Sequence, residues 1–324
     1  MECRSDELKR ERFHMQNRVH ICFAKRFILF GVFWFVITFL PVIAGAGGDN
    51  SGKITIYVVN YPLKYFAERI AGDHAEVVFP APPDCDPAYW IPDVKTIGAY
   101  QKADLILLNG ANYAKWVRKA SLPRSRMVDT SAKFKDRYIT AEEALTHSHG
   151  AKGAHAHESL AFTTWLDFDF AAKQAQAITK ALSRKKPNLH GMFQENYAAL
   201  EKDLMALDGE IKAVVSKNPT LPLLASHPVY DYLSRRYGLN MKSVHWEPDE
   251  VPNDEQWIQL KNILKSHSAK WMIWEGNPMK TSVDGLKSLG VASLVFDPCG
   301  NVPGYGDFLT VMQQNVDNLK PAFR

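Results

Sequence analysis

Net charge is low in this 324-residue sequence, in which 39 Lys and Arg residues oppose 35 Asp and Glu residues for a formal charge of +4. Most of this excess lies in the first 46 residues, where seven basic and four acidic residues give +3 and leave +1 for the rest. A protein that binds nucleic acid needs a basic face. The charge balance therefore argues against a nucleic-acid partner.

The sequence also lacks the short motifs of common hydrolases. It contains no HExxH helix pair and no GxSxG turn, which are typical of zinc proteases and of serine hydrolases. A zinc-dependent hydrolase with Glu275 as general base remains an alternative hypothesis. The leading interpretation is a non-enzymatic protein.

Cysteine is scarce, with four residues in the whole chain, of which Cys3 and Cys22 lie in the first 46 residues. The remaining two are Cys85 and Cys299. In an oxidising compartment an isolated pair favours a disulfide, so we expect one between them. The alternative is that both thiolates are metal ligands.

The N-terminus has the pattern of an export signal over residues 1–46. Basic residues ending in Lys25 and Arg26 precede the apolar run "FILFGVFWFVITFLPVI", and Ala44-Gly45-Ala46 fits a cleavage site. We expect cleavage after Ala46 and a periplasmic protein; an uncleaved anchor is the alternative, because the run is near the lower limit for spanning a bilayer. No cysteine lies at this site, so a lipoprotein is not expected.

The remaining chain, in a sequence that is 46% hydrophobic, alternates β-branched runs with amphipathic helical segments. This alternation predicts the α/β class, with two doubly wound lobes of parallel strands. We place a first lobe at residues 47–167, a helical segment at 168–217 and a second lobe at 218–324. Within the segment, Pro187 divides two helices, and the second, at nearly 30 residues and about 45 Å, is long enough to join the lobes.

Three potential metal ligands follow predicted strands of the second lobe. His227 ends "LLASH", Glu275 ends "WMIWE" and Asp297 ends "LVFD". In open parallel sheets, ligands bind beyond the carboxyl ends of the strands. These residues therefore predict a metal site at that edge, with Glu275 either a direct ligand or a residue that orients a histidine ligand.

The first lobe carries a histidine-rich window, "THSHGAKGAHAHE", at residues 146–158, with His147, His149, His155 and His157. Tracts of this composition often collect metal without fixed geometry. The window is therefore either a ligand source or a solvated loop.

Several segments in this order resemble the metal-binding proteins of ABC importers for zinc and manganese: "DPAYWIPDVKTIGAYQKADLILLNG", the histidine window, "TTWLDF", "SHPVYDYLSRRYGL" and "VFDP". The resemblance covers nearly all of the chain after the leader. It implies two lobes joined by a rigid helix, one divalent ion in the cleft between them, and delivery to the membrane permease of the importer. We expect a monomer and Zn²⁺, because His227 favours zinc over Mn²⁺; copper is a further alternative.

The sequence departs from the family at two of four ligand positions. His227 and Asp297 match the third and fourth, but Ala88 and Thr163 stand where the first two histidines are expected. His147 and His149 are candidates to replace them, while His155 and His157 are expected to remain solvated. One alternative is that the two cysteines bind the ion, and another is that the site has degraded in an adhesin-like protein. A third is that the cleft holds a metal chelate between four tryptophans: Trp90, Trp165, Trp246 and Trp274.

Overall fold

The computed structural model describes residues 52–83, 85–140 and 160–324. The predicted leader and the histidine window, with His147, His149, His155 and His157, lie outside these residues. Lys53–Arg324 belong to one compact unit. Within the described part of the chain, no helix is long and apolar enough to cross a membrane.

The first lobe is built on a four-stranded parallel sheet with the strand order β2-β1-β3-β4. Its strands are β1 (Ile54–Val58), β2 (Ala75–Val78), β3 (Leu105–Leu108) and β4 (Met127–Asp129). Helix α1 (Tyr61–Ala71) follows β1, and α2 (Val94–Lys102) precedes β3. The Asn60 side chain accepts from the Leu63 amide at 3.2 Å and so caps α1.

The second lobe repeats this topology in a parallel sheet of order β6-β5-β7-β8. Its strands are β5 (Pro222–Ala225), β6 (Asn240–Ser243), β7 (Trp271–Trp274) and β8 (Ala292–Val295). Its helices are α5 (Asp231–Tyr237), α6 (Asp254–Ser266), α7 (Lys280–Ser288) and α8 (Phe308–Leu319). The predicted fold of two doubly wound α/β lobes is confirmed.

Two helices lie between the sheets in the chain, α3 (Phe168–Lys185) and α4 (His190–Val215). Pro187 begins a short 3₁₀ turn, Pro187–Leu189, that separates them. The 26 residues of α4 extend about 39 Å at 1.5 Å per residue. Because α4 packs on both α1 and α8, it contacts a helix of each lobe.

Direct hydrogen bonds also join the two lobes. The Trp165 indole donates to the Pro298 carbonyl at 2.7 Å, and the Tyr61 amide donates to the Gly300 carbonyl at 3.0 Å. The Asn301 amide group donates to the carbonyls of Pro82, at 2.7 Å, and Cys85, at 2.8 Å. The 298–301 loop of the second lobe is thus fixed against the first.

Candidate metal centre

His227 lies at the carboxyl end of β5, beside the switch in strand order between β5 and β7. Its Nδ1 atom is buried and has no hydrogen-bond partner among the described residues. The Glu275 Oε1 atom is 3.9 Å from this nitrogen, and the Glu247 Oε1 atom is 3.6 Å from Nε2. A buried polar atom without a partner is costly, so the imidazole is held ready for a ligand.

The electrostatic surroundings keep this imidazole neutral. Burial lowers the pKa of His227, the neighbouring His245 lowers it further, and Asp86 acts in the opposite direction. The His245 ring lies edge-on to the His227 ring, with centroids 5.7 Å apart. A metal-binding histidine must be unprotonated, and this histidine meets that condition near neutral pH.

Glu275 follows β7 and lies in a concentration of negative charge. Burial raises its pKa to about 7, and Glu247, Asp86 and Asp297 add to the effect in that order. Carboxylates this close to one another repel. A cation among them would relieve that repulsion.

Asp297, two residues after β8, is fixed by its backbone. Its amide donates to Asn315 Oδ1 at 2.9 Å, and the Asn315 amide group donates to the Asp297 carbonyl at 2.7 Å. One carboxylate oxygen accepts from the Cys299 amide at 2.7 Å. Burial raises the pKa of Asp297, and that hydrogen bond lowers it in part. The side chain therefore supports the turn after β8 and also contributes charge to the site.

Three residues of this cluster were not among the predicted ligands. Asp86 lies in the loop after β2, and His245 and Glu247 lie in the loop after β6; all three are exposed. The His245 side chain is exposed, and its ring is perpendicular to the ring of His227. In the sequence, the polar residues His245 and Glu247 alternate with Trp246, the only buried residue of the three. This alternation is the one sequence signal that could have indicated that both polar side chains are exposed.

The two positions that lack a family histidine have other roles. Thr163 is buried, and its hydroxyl donates to the Val229 carbonyl at 2.6 Å. Ala88 is buried in the core. Neither residue contributes a metal donor.

The predicted disulfide between Cys85 and Cys299 is wrong, because Cys299 is a free, buried cysteine. Its side chain is part of the main apolar core, and burial raises the pKa of its thiol far above the usual range. A protonated thiol is a poor metal ligand. Cys299 is therefore a core residue, and the thiolate hypothesis loses support.

The tryptophans do not form the walls of a ligand cleft. Trp165, Trp246 and Trp274 are all almost fully buried, and Trp246 and Trp274 belong to the apolar core of the second lobe. Only Trp90 is partly exposed among these four. Three of the four side chains that the chelate hypothesis requires as walls are therefore packed in the core.

Within residues 52–83, 85–140 and 160–324, no three His, Cys, Asp or Glu side chains are close enough together to hold an ion as they stand. The Glu247 and Glu275 oxygens lie 3.6 Å and 3.9 Å from the two different ring nitrogens of His227, which is not the arrangement of ligands around one ion. An ion would have to draw them together.

Residues 56–322 match the family model described as "ZnuA: Zinc-uptake complex component A periplasmic". The chain belongs to this family. The family comprises substrate-binding components of metal importers, so the resemblance and the expectation of a non-enzymatic protein are confirmed. The hydrolase alternative is set aside.

Two relatives illustrate the similarity. The zinc-binding lipoprotein AdcA of Streptococcus pneumoniae serotype 4 is 27% identical over 287 residues, which are 83% of this chain and 56% of AdcA. The high-affinity zinc uptake system protein ZnuA of Bacillus subtilis is 25% identical over 310 residues, covering 90% of this chain and 97% of that protein. The chain thus spans little more than half the length of AdcA.

Solved structures share the fold. YcdH, a metal-dependent lipoprotein from Bacillus subtilis, superposes with a TM-score of 0.71 at 23% identity, covering 83% of this chain and 99% of YcdH. The Zn(II)-bound ZnuA-like domain of S. pneumoniae AdcA superposes with a TM-score of 0.70 at 22% identity, covering 84% of this chain and 99% of the domain. At these identities the likeness concerns the fold alone.

Proposed function

We propose that this protein is an exported solute-binding protein that captures a divalent transition metal, zinc foremost, and delivers it to the permease of an ABC importer. His227 is the principal donor, and Glu275 and Asp297 are the carboxylates that β7 and β8 bring to the same edge. The observation that carries the proposal is the position of the His227 imidazole, with a carboxylate oxygen 3.6 Å from one ring nitrogen and another 3.9 Å from the second.

Zinc is favoured on two grounds. An imidazole is a softer donor than a carboxylate and suits zinc better than manganese. The zinc relatives AdcA and ZnuA are similar over most of this chain. Manganese is the second candidate, since PsaA of Streptococcus mitis, named as a manganese transporter's substrate-binding lipoprotein, is 24% identical over 309 residues.

The finer assignments also belong to the proposal. We propose a monomer in the periplasm, released from its leader after Ala46, although AdcA and PsaA are named lipoproteins. The sequence-based prediction that His147 and His149 are ligands concerns residues outside the described part of the chain, and deletion of residues 146–158 tests it.

Equilibrium dialysis of the purified protein against zinc, manganese and copper tests the function. We expect one zinc ion per chain at micromolar free metal, and loss of binding in His227→Ala. The matched control is His74→Ala, because His74 is an exposed histidine in the first lobe. No stoichiometric metal bound to the unaltered protein would refute the proposal.

A further inference from the structure

The two nitrogens of the His227 ring face different groups. Nδ1 is buried and lies 3.9 Å from a Glu275 oxygen, whereas Nε2 lies 3.6 Å from a Glu247 oxygen. An imidazole offers only one nitrogen to a given ion. The ion therefore binds one nitrogen of the ring. A group that contacts the other nitrogen can orient the ring.

A second imidazole lies next to the His227 ring. The His245 and His227 rings are perpendicular, with centroids 5.7 Å apart. Two imidazoles that share a tetrahedral zinc at about 2.0–2.1 Å have centroids roughly 5 Å apart, and neighbouring donor atoms roughly 3.3 Å apart. The observed separations are slightly longer. His245 and Glu247 are exposed, so both side chains can adjust without disturbing the core.

Asp86 lies in a loop of the first lobe that is held against the second lobe. Asn301, four residues after Asp297, holds the Asp86 loop through its hydrogen bond to the Cys85 carbonyl at 2.8 Å. The Ala88 amide donates to Asp86 Oδ1 at 2.8 Å and orients the carboxylate. Through these hydrogen bonds the Asp86 loop is fixed against the lobe that carries His227.

We propose that His245, Glu247 and Asp86 complete the metal site on the Nε2 side of His227, supplying donors that Ala88 and Thr163 cannot. The inference rests on the proposed metal-binding function. Glu275 is then a positioning residue that faces Nδ1 and orients the ring, as carboxylates commonly do behind histidine ligands. A donor set of imidazoles and carboxylates without thiolate suits zinc or manganese rather than copper(I).

The test measures the zinc Kd of the purified protein by competition with a chromogenic chelator. His245→Ala, Glu247→Gln and Asp86→Asn should each weaken binding about tenfold or more. The matched controls are His74→Ala, Glu195→Gln and Asp73→Asn, exposed residues outside the site that should leave Kd unchanged.

A second measurement separates ligation from folding. Cobalt substitution reports the donor set through its visible absorption bands, which His245→Ala and Glu247→Gln should shift and the controls should not. Deleting residues 146–158 should leave both the zinc Kd and the cobalt spectrum unchanged.

The outcomes distinguish this inference from the function on which it rests. If His227→Ala abolishes binding while the Asp86, His245 and Glu247 variants retain the original Kd and cobalt spectrum, the inference is wrong and the function stands. If the deletion alone abolishes binding, the missing donors belong to the histidine window, and the inference again fails. If the unaltered protein binds no zinc, the proposed function itself fails.

Discussion

Thr163 of the first lobe donates a hydrogen bond from its hydroxyl to the Val229 carbonyl of the second lobe at 2.6 Å. Val229 lies two residues after His227 in the chain. The position at which the resemblance leads us to expect a histidine ligand thus forms a hydrogen bond between the lobes. That bond is partly buried, and it holds the segment that follows His227, the proposed metal donor.

Replacing Thr163 by valine should weaken the protein without affecting metal binding. Thr163→Val keeps the shape of the side chain but leaves the Val229 carbonyl without its donor, at a cost of about 1–3 kcal/mol. Urea denaturation measures the free energy of unfolding, and chelator competition measures the zinc Kd. A large loss of zinc affinity at unchanged stability would show that Thr163 acts in the metal site itself.

Glu275 should make the metal-free protein less stable at high pH. Its pKa rises from 4.5 in the unfolded chain to about 7 in the folded one. A raised pKa contributes stability that is fully present below pH 4.5 and is lost as the pH rises through 7. The shift corresponds to at most about 3 kcal/mol.

Glu275→Gln should therefore raise the free energy of unfolding of the metal-free protein more at pH 8 than at pH 5. Urea denaturation in the presence of a chelator at both pH values measures this difference. Glu195→Gln, an exposed glutamate on α4, is the control. Equal effects of Glu275→Gln at the two pH values would contradict the charge cluster described around His227.

Asp208 ties the long helix α4 to α5 and should matter at low pH. Its carboxylate accepts from Arg236 Nε at 2.9 Å and from the Tyr237 hydroxyl at 3.0 Å. Burial alone would raise the pKa of Asp208, but hydrogen bonds from Arg236 and Lys212 lower it overall. A lowered pKa gives stability that is present above about pH 4 and lost as the pH falls through the folded value.

Asp208→Asn should reduce the free energy of unfolding by about 2 kcal/mol at pH 7, because it removes the charged hydrogen bonds from Arg236 and leaves that guanidinium only Asp167, whose Oδ1 is 3.6 Å from Arg236 Nε. The loss should shrink as the pH is lowered toward 3. Denaturant titrations across this range check both points, with Asp73→Asn as the exposed control. If Asp208→Asn lowers the free energy of unfolding equally at every pH, then packing, not the ion pair, accounts for the effect.

Apolar periodicity predicted most of the fold. The apolar runs that end in His227 and Glu275 predicted β5 and β7, and Pro187 was correctly placed between the helices α3 and α4. The edge strands β4 and β6 have no such run. Met127–Asp129 has three residues and Asn240–Ser243 has four, mostly polar and half-exposed, so neither has the continuous apolar pattern of a central strand.

The site was predictable where it follows strand ends and not elsewhere. His227, Glu275 and Asp297 come directly after strands or within two residues of them, so the rule for parallel sheets placed them at one edge. Asp86 lies eight residues beyond the end of β2 and Glu247 four beyond β6. Loop conformation determines where such side chains point, and the sequence pattern does not specify it.

The central claim is that His227 binds the captured ion. Anomalous diffraction at the zinc absorption edge, from crystals of the zinc-loaded protein, tests it most directly. We predict one strong peak at about 2.0–2.1 Å from a ring nitrogen of His227. A peak elsewhere in the protein, with the His227 imidazole unligated, would contradict the claim.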